Sequence, residues 1–127
     1  MKPLTREWIA KADGDFHSLG REMRARKYLN YDAACFHAQQ CIEKYLKARL
    51  TESDNAFPKT HDLSSLLDLV LPQEPLWLDM RPDLEMLTDC AVEFRYPGES
   101  ASREQARDAH RACDRIRRRI RDDMRIA

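Results

Sequence analysis

The stretch NYDAACFHAQQCIEKYLKARLT, Asn30 to Thr51, decides the fold class. It holds no glycine and no proline, and alanine, leucine, lysine and glutamine favour a helix. Tyr31, Ala34, Cys35, Ala38, Cys41, Ile42 and Tyr45 recur at spacings of three and four and share one face. Asn30 or Asp32 supplies an oxygen for the N-cap. The reading is an amphipathic helix about 33 Å long. A helix of that length needs long neighbours, and the rest of the chain provides them.

On the N-terminal side, Trp8, Ala12, Phe16, Leu19 and Met23 form the apolar stripe of a first helix over Leu4–Arg26, started near Thr5 and weakened locally at Gly14. On the C-terminal side, Glu52–Lys59 is polar and reads as a loop. A third helix is expected over Thr60–Leu71, with Leu63, Leu66, Leu67 and Val70 inward and Pro72 ending it. Pro75 keeps the next connection irregular. A fourth helix runs from Pro82 to Phe94 on Leu84, Leu87, Ala91 and Phe94, and Arg95-Tyr96-Pro97-Gly98 stops it. Ser102 and Gln105 form a capping box for a fifth helix to Arg125, with Ala106, Ala109, Cys113, Ile116, Ile120 and Met124 inward. No segment alternates as a strand does. The expected fold is all-α: one domain over residues 1–127, an up-and-down antiparallel bundle of four to five helices, with the second and fifth antiparallel in the core.

Composition narrows the function. The 127 residues carry 22 basic and 22 acidic side chains, so no global field draws the chain to nucleic acid or membrane, and binding must come from a local patch. No apolar run of signal or membrane-spanning type is present, which by default implies a cytoplasmic protein without a membrane partner. Cys35, Cys41, Cys90 and Cys113 form no Cys-x-x-Cys pair and read as buried free thiols in a reducing compartment. His17, His37, His61 and His110 lack metal-ligand spacing, so neither metal nor cofactor is expected.

Four places carry polar chemistry. Phe36, Gln40, Glu43 and Lys47 form a second stripe on the second helix, with Glu43 and Lys47 an i,i+4 ion pair. It is either a solvated face with one salt bridge, or a binding or subunit-contact face anchored by Phe36. At His61-Asp62, either Thr60 or Asp62 caps the third helix and His61 is incidental, or the loop brings a polar cluster beside the second helix. Arg95 either bonds the free carbonyls ending the fourth helix, or stands exposed for phosphate beside a Tyr96 ring suited to base stacking. The last helix has nine arginines against five acids; Arg107, Arg111, Arg115, Arg118 and Arg125 share one face, with Arg118–Asp122 an expected pair. That face is either solvated and internally paired, or a surface for RNA or an acidic partner.

Phe36-His37-Ala38-Gln39-Gln40-Cys41-Ile42-Glu43-Lys44-Tyr45-Leu46-Lys47-Ala48 closely resembles the HEPN signature, F-x-A-Q-Q-x-x-E-K-x-L-K-A. Pro58-Lys59-Thr60-His61-Asp62-Leu63 is similar to that family's loop and third-helix start, and Arg95-Tyr96-Pro97 to its element before the last helix. Trp8, Ala12 and Asp15 sit where its first helix carries similar residues. The resemblance implies a helical bundle that usually forms homodimers, in a bacterial or archaeal protein often encoded beside a minimal nucleotidyltransferase in toxin–antitoxin-like pairs. Many relatives are metal-independent RNases that use an Arg followed after four to six residues by a His, two copies meeting in one dimeric site. Here Arg95 is followed by Tyr96-Pro97-Gly98 with no His in range. Arg103 and His110 do have six residues between them, but Glu104 follows the Arg and both fall within the last helix.

The resemblance therefore implies, first, a non-catalytic nucleotide- or RNA-binding partner of a nucleotidyltransferase, with Gln40, Glu43, Lys44, Lys47, His61, Arg95 and Tyr96 as its polar surface. The alternatives are a metal-independent RNase toxin, with Arg103 and His110 as catalytic candidates, and a protein-interaction module with no nucleotide site.

Overall fold

A computed structural model describes all 127 residues. Helices α1 (Pro3–Arg24), α2 (Tyr31–Glu52), α3 (Leu63–Val70), α4 (Arg81–Glu93) and α5 (Arg103–Asp123) form an all-α bundle without strands. No helix is long and apolar enough to cross a membrane. α2 lies at the centre: Ala34, Cys35, Ala38, Cys41, Ile42, Tyr45 and Leu46 are all buried. All four cysteines are free and buried. Contact with Cys90 and burial push the Cys35 thiol up, and burial and Cys113 do the same for Cys41, so both stay protonated.

The caps follow the sequence closely at two of the helix starts. Asn30 accepts from the Ala33 amide at 2.9 Å, which releases Asp32 for another partner. Ser102 and Gln105 close the capping box at 3.0 and 2.8 Å. α1 differs. It starts at Pro3, and Thr5 is buried, donating to Glu52 Oε1 at 2.9 Å rather than capping. α3 is shorter than Thr60–Leu71 because Asp62 caps it, accepting from the Ser64 amide at 3.1 Å. The Thr60 hydroxyl accepts in turn from the Asp62 amide, just ahead of the helix.

Two features depart from expectation. Pro75–Met80 is a 3₁₀ helix rather than an irregular link, and it buries Trp77 completely; the indole N–H donates to Asp123 Oδ2 at 2.6 Å. More consequential, α2 and α5 run parallel. Asp32 meets Ala101 just before α5, and Tyr45, farther along α2, meets Arg121 near the end of α5. The reason lies in residues 53–62 between α2 and α3. This connection doubles back along α2, bringing His61 beside Gln39 before α3 begins. It therefore takes the place of one descending helix. α3 then runs parallel to α2, α4 returns against α3 (Leu63 near Thr88, Asp68 near Arg81), and α5 ascends against α4 (Asp83 with Arg115, Asp79 with Arg119).

Candidate functional site

Gln39, Glu43 and Lys47 stand four residues apart on α2 and so share one face. That face is covered by α1 and by the returning connection, and all three residues are buried. Glu43 Oε1 accepts from Gln39 Nε2 at 3.1 Å and lies 2.8 Å from His61 Nδ1; Oε2 accepts from Lys47 Nζ at 3.1 Å. The Gln39 amide also donates to the His61 carbonyl at 3.0 Å, clamping the connection to the helix. Gln40 donates to Gln39 Oε1 at 2.8 Å, which fixes the amide's orientation. Lys47 Nζ sits 5.6 Å from the Trp8 ring centre and 5.8 Å from that of Phe57, and the two rings meet edge to face. A carboxylate in so dry a place is tolerable only because its oxygens are matched by charged and polar donors.

One member of this array faces outward. The Glu43 side chain is 4% exposed, whereas that of His61 is 67% exposed. With Nδ1 turned to the carboxylate, Nε2 is the nitrogen presented to solvent. Neutral, it offers a lone pair; protonated, it offers an N–H to an anion.

The other expected site residues lie elsewhere. Lys44, next to Glu43 in sequence, points to α1 and pairs with Asp15 at 2.5 Å, where His37 Nδ1 also lies 2.9 Å from the carboxylate. Arg95 does not cap α4. It is exposed, its side chain makes no hydrogen bond within the chain, and only its amide is engaged, with the Val92 carbonyl at 3.3 Å. Tyr96 beside it is also exposed. The connection carrying both is tied down where the Ala101 amide donates to Asp32 Oδ1 at 2.7 Å. Asp32 and Glu43 are eleven positions apart, about 16 Å along the helix. The seven expected binding residues thus fall in three places: Gln40, Glu43, Lys47 and His61 together midway along α2, Lys44 with Asp15, and Arg95 with Tyr96 near the start of α2.

Arg103 and His110 do not meet. Arg103 is exposed, while His110 is half-buried with its ring centre 6.3 Å from that of Phe16. Most α5 arginines are internally paired: Arg111 with Asp108, Arg115 with Asp83, Arg119 with Asp79 and Asp123. Arg118 pairs backward with Asp114 at 3.2 Å instead of with Asp122. A groove of about 410 Å³ between α4 and α5 is lined by Glu85, Asp89, Glu93 and Asp108, the wrong sign for a phosphate.

Sequence reading passed over two polar groups. Gln39 is one, although its place four residues before Glu43 was legible. The other is Asp13, which accepts from the buried Tyr45 hydroxyl, from Arg117 Nε at 3.1 Å and from Arg121 Nη1 at 3.2 Å. Burial and the bond to Asp13 hold the Tyr45 phenol above its ordinary pKa. Only the fold brings these residues of α1, α2 and α5 together.

No curated protein and no solved structure matches the chain. The model of the HEPN domain family matches residues 5–123, a span that takes in the α2 array, His61, Arg95 and α5, and the chain belongs to that family.

Proposed function

We propose that this HEPN protein binds a nucleotide or RNA and serves as the non-catalytic, cytoplasmic partner of a minimal nucleotidyltransferase in a toxin–antitoxin-like pair. Arg95 and Tyr96 carry the reading. A guanidinium with no internal partner stands next to an exposed ring, which suits a phosphate and a base respectively. His61 presents Nε2 to solvent, a nitrogen that donates to an anion when the ring is protonated. The non-catalytic role is supported by the separation of Arg103 from a His110 packed on Phe16. The test is fluorescence anisotropy with labelled RNA in EDTA. Binding without cleavage, weakened by Arg95→Ala and unchanged by His110→Ala, is the expected result. Co-purification with the product of a neighbouring nucleotidyltransferase gene tests the partnership.

The protein is also proposed to form a homodimer. Phe36 stands 40% exposed on α2, a large apolar side chain partly open to solvent and resting edge to face on His37. Sedimentation showing only monomer at high micromolar concentration would remove this element of the proposal.

One observation favours a second reading as an RNase. An exposed imidazole oriented by a buried carboxylate is how a general base is held, and His61 has that arrangement. EDTA-resistant RNA cleavage abolished by His61→Ala would put this reading first.

A further inference from the structure

The end of the bundle that bears Arg95 and Tyr96 also bears the α1–α2 turn. Because α1 and α2 are antiparallel, that turn lies at the start of α2, where Asp32 holds the α4–α5 connection through the Ala101 amide. Tyr28 is four residues before Asp32 and Tyr96 is five before Ala101, so both rings are tethered closely to one hydrogen bond. Neither ring is covered: Tyr28 is 96% exposed and Tyr96 68%. Tyr28 also has φ of 55°, in the left-handed region that a bulky side chain enters at a cost. A hydrophobic ring held fully in water on a strained backbone gains nothing from its own fold. Strain of this kind concentrates at sites of binding.

The charge around the rings has a sign. Arg24, Arg26, Lys27, Arg95, Arg103 and Arg107 are exposed here, and none pairs with a carboxylate. The acids of the same end are Glu22, Asp32, Glu93, Glu99 and Glu104, leaving an excess of one cation, and Asp32 is already engaged by the Ala101 amide, as Asp108 beside Arg107 is by Arg111. This contrasts with the middle and far stretches of α5, where the arginines are mostly matched to aspartates. Free cations beside two exposed rings, carried on separate loops, match a flexible polyanion whose successive bases can stack. A single nucleotide covers one ring and its neighbouring cation; it does not need the second loop.

We infer that the α1–α2 turn and the α4–α5 connection together form a stacking platform for single-stranded RNA, with Tyr28 and Tyr96 as its two base-binding faces and Arg26, Lys27 and Arg95 on the backbone phosphates. The inference rests on the nucleotide- or RNA-binding reading above and specifies its ligand as a strand of several nucleotides.

The test compares a fluorescein-labelled oligouridine, its duplex with oligoadenosine, and uridine monophosphate, using full-length protein in EDTA. Tyr28→Ala and Tyr96→Ala are each expected to weaken oligouridine binding about tenfold, the size of one base–aromatic stack. Only Tyr96→Ala is expected to weaken the mononucleotide. Lys27→Ala is expected to lower the slope of log affinity against log salt by about 0.7, one phosphate contact on a single strand. Tyr28 touches no core residue, so its loss leaves the fold in place. Wild-type affinity in Tyr28→Ala, with weakened binding in Tyr96→Ala, overturns the platform and leaves the Arg95–Tyr96 site standing. Duplex binding as tight as single-strand binding also overturns it. If the wild-type protein binds none of the three ligands, the platform and the nucleotide-binding reading fall together.

Discussion

Two regions of one helix treat charge in opposite ways. Midway along α2, Glu43 and Lys47 are buried, Lys47 against the Trp8 and Phe57 rings, and the two charges pair with each other. At the start of α2, the loops it anchors leave Arg95 and Lys27 in water with no carboxylate. The buried array is internally satisfied, and its most exposed member is His61 at the edge. The exposed end is held by the Asp32–Ala101 hydrogen bond and the Ser102–Gln105 capping box, and its Arg95 and Lys27 keep no internal partner. Within one small fold, charge is matched where it is buried and left unmatched where it stands in solvent.

Breaking the buried array gives the largest effect. Glu43→Ala leaves the Lys47 ammonium almost dry and unpaired, and about 3–5 kcal/mol of stability is expected to be lost. Urea denaturation measures it; a loss below about 1 kcal/mol would mean that water reaches Lys47 freely. The opposite region responds in the opposite way. Arg95→Ala is expected to leave stability within about 0.5 kcal/mol of wild type, as exposed positions do, while costing about 1.5–3 kcal/mol in RNA binding. Denaturation and anisotropy on the same preparation separate the two effects.

A third buried group sharpens the contrast through pH. The Tyr45 phenol has its pKa raised by burial and by its bond to Asp13. Below about pH 10 the folded and unfolded chains both keep this proton. Above about pH 10 the unfolded chain releases it first, so stability falls by about 1.4 kcal/mol per pH unit until the folded phenol also ionises. Tyr45→Phe is expected to remove that dependence, as read from denaturation midpoints across alkaline pH. The smallest effect belongs to the exposed end. Ser102→Ala removes the oxygen that caps α5 and is expected to cost about 1 kcal/mol, with the core unchanged.

Particular residues show how far sequence reading reached. The stripes of α2 and α5, the cap at Asn30 and the box at Ser102 were legible because each depends on spacings of three or four along one helix. Trp77 was not, because a short 3₁₀ segment offers no apolar period to detect. The Glu43–Lys47 pair was legible as a pair, but its burial was not, since its cover comes from α1 and from Phe57. The Arg118–Asp122 expectation failed for a similar reason: two acids lie four residues from Arg118, and sequence alone does not choose between them.

By itself, the sequence determined the helical class, the inward faces and the HEPN membership, because periodicity, capping and motif spacing are local properties. Only the tertiary structure decided direction and exposure. The connection over residues 53–62 folds back along α2, turning an expected antiparallel α2–α5 pair into a parallel one and setting His61 on Glu43. It also decided which charges are consumed. A charge is neutralised or left free by what lies across from it in space, and that neighbour comes from a distant stretch of the chain.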